Sequence, residues 1–310
     1  MALLDFRRRT DGARAPGPAR TPAEPGALAA LLENYSIEVM PRTAERIADF
    51  RPLLPAGTRV YIAHIDGTPI DDMVATATRL ARDGFDVIPH FPARSIADTA
   101  MLHDWIARYQ GEAGVRQALV LAGGIGTPRG VFHSSMQVLG TGAFDRAGFT
   151  HLHVAGHPEG NRDIDPDGSD RAVSDALRWK QAFRDRSDAH IALVTQFCFE
   201  AAPVIAWVDR LAAEGIDLPV HIGIAGPARL QTLIRFSIAC GVGPSLRVLQ
   251  KRARDVTKLV LPFEPTRVLT DLALHKAANP AFGVARVHLF PLGGIAAAAD
   301  WANARKAAPA

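Results

Sequence analysis

Residues 190–196, His190-Ile191-Ala192-Leu193-Val194-Thr195-Gln196, form a short apolar run that ends on two polar side chains. A helical pattern follows over Ala201 to Ala213, then a glycine stop at Glu214-Gly215, then a second apolar run over Val220 to Ile224. A run too short for a buried helix, joined through a helix and a glycine stop to another such run, is a strand–helix–strand unit. Its two strands lie parallel in one sheet.

Working outward, the same alternation fills the chain from residue 35 to its end. Strands are expected at Tyr35 to Met40, Arg59 to His64, Asp86 to His90, Gln117 to Ala122, Thr150 to Ala155, His190 to Gln196, Val220 to Ile224 and Ala285 to Phe290. Helices are expected over Ile70 to Asp83, Ser95 to Tyr109, Ser169 to Asp185, Ala201 to Ala213 and Ala228 to Cys240, with two more, Leu246 to Val256 and Pro265 to Ala278, before the last strand. Repeated strand–helix pairs of this number close into a (β/α)₈ TIM barrel more readily than they spread into an open sheet. The domain reading is an N-terminal arm over residues 1–30, one barrel over 31–305 and a short tail over 306–310.

The chain has 310 residues, 48% of them hydrophobic, enough for one large core. A formal net charge of +3 leaves no broad electrostatic footprint for nucleic acid. The two cysteines, Cys198 and Cys240, are too few for a disulfide framework and lack metal-ligand spacing, so a reducing, cytoplasmic setting is expected. The arm carries Arg7, Arg8, Arg9, Arg14 and Arg20 among Ala, Pro and Gly, with Asp5, Asp11 and Glu24. It has neither the apolar stretch of an export signal nor the pattern of an amphipathic targeting helix. No apolar stretch is long enough for a membrane span. A homo-oligomer is allowed by the composition.

Barrel chemistry belongs to the loops after the strand C-termini. Glu38 is a carboxylate inside the apolar run Ser36-Ile37-Glu38-Val39-Met40-Pro41-Arg42-Thr43. It is either paired with an arginine such as Arg42 or serves as a general acid whose pKa is raised by apolar surroundings. Gln196 is a neutral donor and acceptor suited to the amide-like edge of a heterocycle. Ala155-Gly156-His157-Pro158-Glu159-Gly160-Asn161 offers an imidazole, a carboxylate and an amide in one loop after the fifth strand. The run Leu121 to Gly130, with Gly123 and Gly124, lacks the glycine spacing of a dinucleotide fingerprint and reads as a loop that lets a flat or phosphorylated ligand approach the backbone. His151 and His153 alternate as metal ligands do, and His64, His90 and His221 could join them, but core or hydrogen-bonded histidines are the simpler account. Lys251-Arg252-Ala253-Arg254 reads as a solvated helix face.

Taken together, Ser36 to Thr43, Ala155 to Asn161, Asp175 with Lys180, Thr195-Gln196-Phe197 and His221-Ile222-Gly223-Ile224 resemble the methylenetetrahydrofolate reductase family over nearly the whole chain after the arm. The resemblance implies a (β/α)₈ barrel that reduces 5,10-methylenetetrahydrofolate to 5-methyltetrahydrofolate, with NADH or NADPH as the reductant and usually through FAD. On that basis Glu38 takes the place of the acid that helps open the folate's five-membered ring. Gln196 falls on the glutamine that contacts the pterin, Phe197 adjoins it, and His90 falls on a flavin-contacting histidine. Asp175 and Lys180 fall on a polar pair beside the flavin's ribityl and phosphate region.

The departures cluster around the flavin. Ala122-Gly123-Gly124 replaces Arg-Gly-Asp, His157 replaces a tyrosine, Asn161 replaces a histidine, and Gln181 and Ala182 replace basic residues. Leu230 stands where an aromatic residue often packs on the folate. The resemblance therefore leaves two routes open, FAD held by altered contacts or direct hydride transfer from nicotinamide to folate. A folate-dependent one-carbon or methyl transferase, or a folate-binding protein without redox activity, is the rival expectation.

Overall fold

The computed structural model describes residues 25–240, residue 249 and residues 262–307. Eight parallel strands close on themselves in chain order: β1 Ser36–Val39, β2 Arg59–Ile62, β3 Asp86–Pro92, β4 Gln117–Leu121, β5 His151–Gly156, β6 His190–Cys198, β7 Val220–Ala225 and β8 Val284–Phe290. The β1–β8 ladder, Ser36 opposite His288 and Ile37 opposite Leu289, completes the cylinder. Around it lie α1 Pro25–Leu32, α2 Pro41–Ala44, α3 Ile70–Arg82, α4 Thr99–Ala113, α5 Ser135–Gly140, α6 Ala143–Arg146, α7 Arg171–Arg184, α8 Ala201–Ala213, α9 Leu230–Ala239, α10 Thr266–Ala278 and α11 Ile295–Lys306. The expected TIM barrel is the fold observed.

Each helix is bounded by local chemistry. α3 carries Asp71 and Asp72 in its first turn and Arg79 and Arg82 in its last, both placed to oppose the helix dipole, and Gly84 ends it at φ 88°. α4 starts four residues later than the pattern suggested. Asp98 caps it by accepting from the Met101 N–H at 2.8 Å, and residues Ala93–Ser95 form a separate 3₁₀ turn. α9 begins at Leu230 because Ala228 instead pairs in an antiparallel bridge with Phe263. α1 begins at Pro25, inside the stretch read as an arm, and packs on α10 and α11. Residues 1–24, most of the helix expected at Leu246 to Val256, the basic stretch Lys251 to Arg254 and the last three residues lie outside the described residues.

Strand side chains alternate across the barrel wall with a period of two. One set, including Ile37, Val39, Val60, Ile62, Leu152, Val154, Ile222, Ile224, Val287 and Leu289, joins the large core between sheet and helices. The other set fills the lumen and is mixed. Tyr61, Ile88, Leu119 and Val194 form an apolar cluster, while Ser36, His153, His221 and His288 are buried polar groups in the same space. Barrel interiors are ordinarily packed with branched aliphatic side chains, so a lumen rich in imidazole is the first structural sign of chemistry here.

At the C-terminal end the loop after β8 presses on the loop after β7. A Cβ on Gly293 would fall 2.0 Å from the Pro227 carbonyl oxygen and 2.9 Å from Ala228 Cα. The Gly293→Ala variant is therefore expected to lose about 1–3 kcal/mol of stability, read as a lower Tm. An unchanged Tm would mean that the two loops do not meet in solution.

Candidate active site

Glu38 leaves the end of β1 on the lumen side with its side chain 19% exposed. Its Oε2 lies 3.4 Å from His90 Nε2, which comes from β3, and 3.7 Å from His288 Nε2, which comes from β8. Arg42 is exposed, and the ion-pair contacts of Glu38 among the described residues are these two imidazoles. Both Nε2 atoms are buried and make no hydrogen bond within the protein. Burial holds His90 near a pKa of about 4 despite the opposing pull of Glu38, so at neutral pH it is an uncharged imidazole beside the carboxyl group. His288 is wholly buried, and its Nδ1 meets Ser36 Oγ at 3.0 Å. Ser36 and Glu38, two apart on one strand, thus engage the same ring on opposite edges.

Across the mouth, β6 carries a bulge between Val194 and Phe197, and the ladder to β7 resumes at Phe197 opposite Gly223. Gln196 is exposed, and Phe197 is buried against Phe290 and Phe199 at ring separations of 5.4 and 5.8 Å. Leu230, at the start of α9, joins Phe197, Phe199, Phe263, Phe290 and Leu249 in a separate apolar cluster at this end of the barrel. Burial first, then the Glu38 charge, push the Cys240 thiol up to a pKa of about 11. Glu38, Gln196 and an aromatic wall lie at the same, C-terminal end of the barrel strands.

Beneath Glu38 the lumen is wired by hydrogen bonds. Tyr61 Oη lies 2.8 Å from His153 Nδ1 and 3.3 Å from His221 Nδ1, and the Tyr61 ring lies 4.4 Å from that of His288. Burial, more than any neighbouring charge, holds His153 near a pKa of about 3 and His221 well below its ordinary value. Among the described residues no group of three or more His, Cys, Asp or Glu converges in a metal-binding arrangement.

The residues assigned to the flavin by resemblance lie on β3, α7 and the loops after β4 and β5. Asp175 and Lys180 do not bond each other. Five residues apart on α7, they point about 140° away from each other around the helix. Asp175 is exposed and bonds Arg178 at 2.5 Å, while Lys180 is buried and donates to the Ala155 carbonyl at 2.7 Å. Burial lowers the Lys180 pKa to about 8. Burial and then the Lys180 charge hold His157 near a pKa of about 4. The Glu159 charge, after burial, helps keep the Cys198 thiol protonated. Asn161 Oδ1 accepts from the Asp163 and Ile164 N–H groups and shapes its own loop.

A helix start beside a barrel mouth is a natural phosphate site. At α7 that place is already taken. Asp165, 6% exposed, accepts from the N–H groups of Ala172 and Val173 and from Ser169 Oγ. The loop after β4 is likewise closed on itself. Gly123 turns at φ 92° with a would-be Cβ 3.0 Å from Pro92 Cβ, while Gly124 has open space around it. Arg94 spends its guanidinium on the His133 and Ile125 carbonyls, and Arg129 reaches Asp66 at 2.6 Å, tying this loop to the one after β2. Lys180, Arg94 and Arg129 are thus each bonded within the protein, and Asp165 caps the start of α7.

Sequence reading missed His288, Tyr61 and Asp165. His288 had a signal, since it alternates with Arg286 and Phe290 on an inward-facing set. Asp165 had none beyond its place ahead of a helix.

No protein-family model matches the sequence. The fold is similar to that of a solved structure described as an uncharacterized protein from Clostridium thermocellum that binds two copies of 5-methyl-5,6,7,8-tetrahydrofolic acid. The TM-score is 0.52 and the identity 10%, over 89% of this chain and 97% of that one. At that identity the likeness establishes a shared barrel. Among the described residues no helix is long and apolar enough to cross a membrane.

The buried imidazoles set a pH dependence. His90 and His153 take up protons only near pH 4 and 3 in the folded chain, against 6.5 for the free groups. Below about pH 6.5 the unfolded chain therefore binds more protons than the folded one, and stability falls as the solution is acidified. The Tm should drop steadily between neutrality and about pH 4.5; a flat profile would show that these rings are open to solvent protons.

Proposed function

We propose that the mouth of the barrel binds a reduced folate and that the chain reduces 5,10-methylenetetrahydrofolate to 5-methyltetrahydrofolate with NADH or NADPH. The observation that carries this reading is the Glu38 carboxyl group, flanked by His90 and His288 at the end of the barrel where β6 presents Gln196. A carboxyl group among hydrogen-bond-capable imidazoles can hold and deliver a proton, and a carboxamide across the gap can read the amide-like edge of a pterin. The Clostridium thermocellum protein, built on a similar barrel, binds 5-methyltetrahydrofolic acid, which supports a folate as the ligand class.

In this reading Glu38 protonates the bridging amine of the folate's five-membered ring. The carbon–nitrogen bond breaks with its electron pair passing to that nitrogen, and the methylene carbon is left as an iminium. Hydride from the nicotinamide then completes the methyl group. His288, fixed by Ser36 on its far edge, keeps the carboxyl group aimed at the opening, and His90 stays neutral beside it. The wall of Phe197, Phe199 and Phe290 limits water around the cation as it forms.

We further propose direct hydride transfer without FAD, because Lys180, Asp165 and Arg94 are already satisfied by the protein's own groups. A second reading, folate binding without redox chemistry, is favoured by one observation. Gly123-Gly124 puts no carboxylate after β4 to steady the cation.

Purified chain free of bound flavin is expected to oxidise NADH or NADPH when methylenetetrahydrofolate is added. A strict requirement for added FAD would overturn the direct route, and tight folate binding with no nucleotide oxidation would select the second reading. Glu38→Gln should keep folate affinity and lose about 10²–10⁴-fold in turnover. Gln196→Ala should weaken folate binding about tenfold, a loss of one good hydrogen bond. Unchanged turnover in the first variant, or an unchanged Kd in the second, removes that residue from its role.

A further inference from the structure

Consecutive strand residues face opposite sides of a sheet, so Gln196 and Phe197 should not both serve the mouth. They do so because β6 is bulged. Val194 stands opposite His221 and Phe197 opposite Gly223, so Thr195 and Gln196 together span the place of the single residue Ile222. Past the bulge the facing alternation is reset, and Phe197 turns onto Phe290 at 5.4 Å while Gln196 remains exposed at the opening.

Two features hold the bulge. Thr195 is 1% exposed, and its hydroxyl accepts from the Gly223 N–H at 2.8 Å and donates to the Gln196 carbonyl at 2.9 Å. A side-chain oxygen thereby supplies the cross-strand acceptor at the break in the ladder, and it also grips the carbonyl of the residue being turned. Gly223 allows the approach. A Cβ there would fall 2.4 Å from the Thr195 carbonyl oxygen and 2.5 Å from that of Gln196. The Gln196 side chain adds only a 3.3 Å contact from its own Oε1 to the Phe197 N–H, too long to fix the backbone alone.

From this geometry we infer that Thr195 is a positioning residue for the ligand-binding mouth, its hydroxyl setting the β6 bulge that presents Gln196 and Phe197 together. The inference rests on the reduced-folate reading above. Thr195 does not touch the ligand; it acts through Gln196. Removing the hydroxyl leaves the buried Gly223 N–H without a partner and lets the strand fall back toward plain alternation, which takes one of the two side chains out of the mouth.

The test compares Thr195→Val, which keeps the shape and loses the hydroxyl, with Thr195→Ser, which keeps the hydroxyl. The readouts are the Kd for 5-methyltetrahydrofolate by titration calorimetry on the full chain and the Tm. Thr195→Val is expected to weaken binding about tenfold, the effect of one lost hydrogen bond at Gln196, while Thr195→Ser restores affinity near that of the parent. In a Gln196→Ala background the Thr195→Val penalty should shrink, since residues acting in series are non-additive. Full affinity in Thr195→Val, or strict additivity with Gln196→Ala, overturns the inference. Should Thr195→Val not fold, Thr195→Ala carries the same expectation and the same refutation. A parent chain that binds no 5-methyltetrahydrofolate defeats the functional reading itself, an outcome distinct from a parent that binds and a variant that binds equally well.

Discussion

Three strands meet at one carboxylate oxygen. Glu38 Oε2 is approached by His90 from β3 at 3.4 Å and by His288 from β8 at 3.7 Å, and His288 could not be there unless the sheet closed between β8 and β1. In an open sheet β8 and β1 would be opposite edges and the carboxyl group would face one imidazole at most. Closure brings the first and last strands into register, Ser36 beside His288, and the Ser36 hydroxyl then fixes the ring that Glu38 meets on its other edge. The chemistry of the mouth is in this sense a product of topology, with local sequence supplying only the residue types.

The lumen below follows from the same crowding. With His153 and His221 both hydrogen-bonded to Tyr61 and Ile88, Leu119 and Val194 filling the rest, the interior is divided into a polar and an apolar part. Burying imidazoles is tolerable only while they stay neutral and bonded, which is why their proton affinity falls so far. On the outer side of β5 the chain has met its own needs with its own charges: Asp165 occupies the start of α7 and Lys180 is spent on a strand carbonyl. A cofactor that relied on either group would have to compete with a bond already made.

Much of this could be read in advance. The β/α alternation was legible because every strand run is short, apolar and bounded by glycine or a helix, and the observed strands differ from the expected ones only at their ends. Glu38 stood out because a carboxylate in an apolar strand has few explanations. Less was legible where position depends on a partner far along the chain. His288 acquires meaning only from Ser36 and Glu38 at the other end of the sequence, and a hydroxyl bridging two strands leaves no periodic trace, so the shared facing of Gln196 and Phe197 was invisible. That Lys180 is buried under β5 while Asp175 faces solvent could not be read from their spacing alone.

Gly223 sets a limit on what this barrel can become. With the Thr195 carbonyl 2.4 Å from where any side chain would begin, the bulged form of β6 is closed to every other amino acid at that point on β7. Any side chain at that point would push the sixth strand toward plain pairing and refurnish the opening, so one hydrogen atom in place of a methyl group decides what the barrel can present.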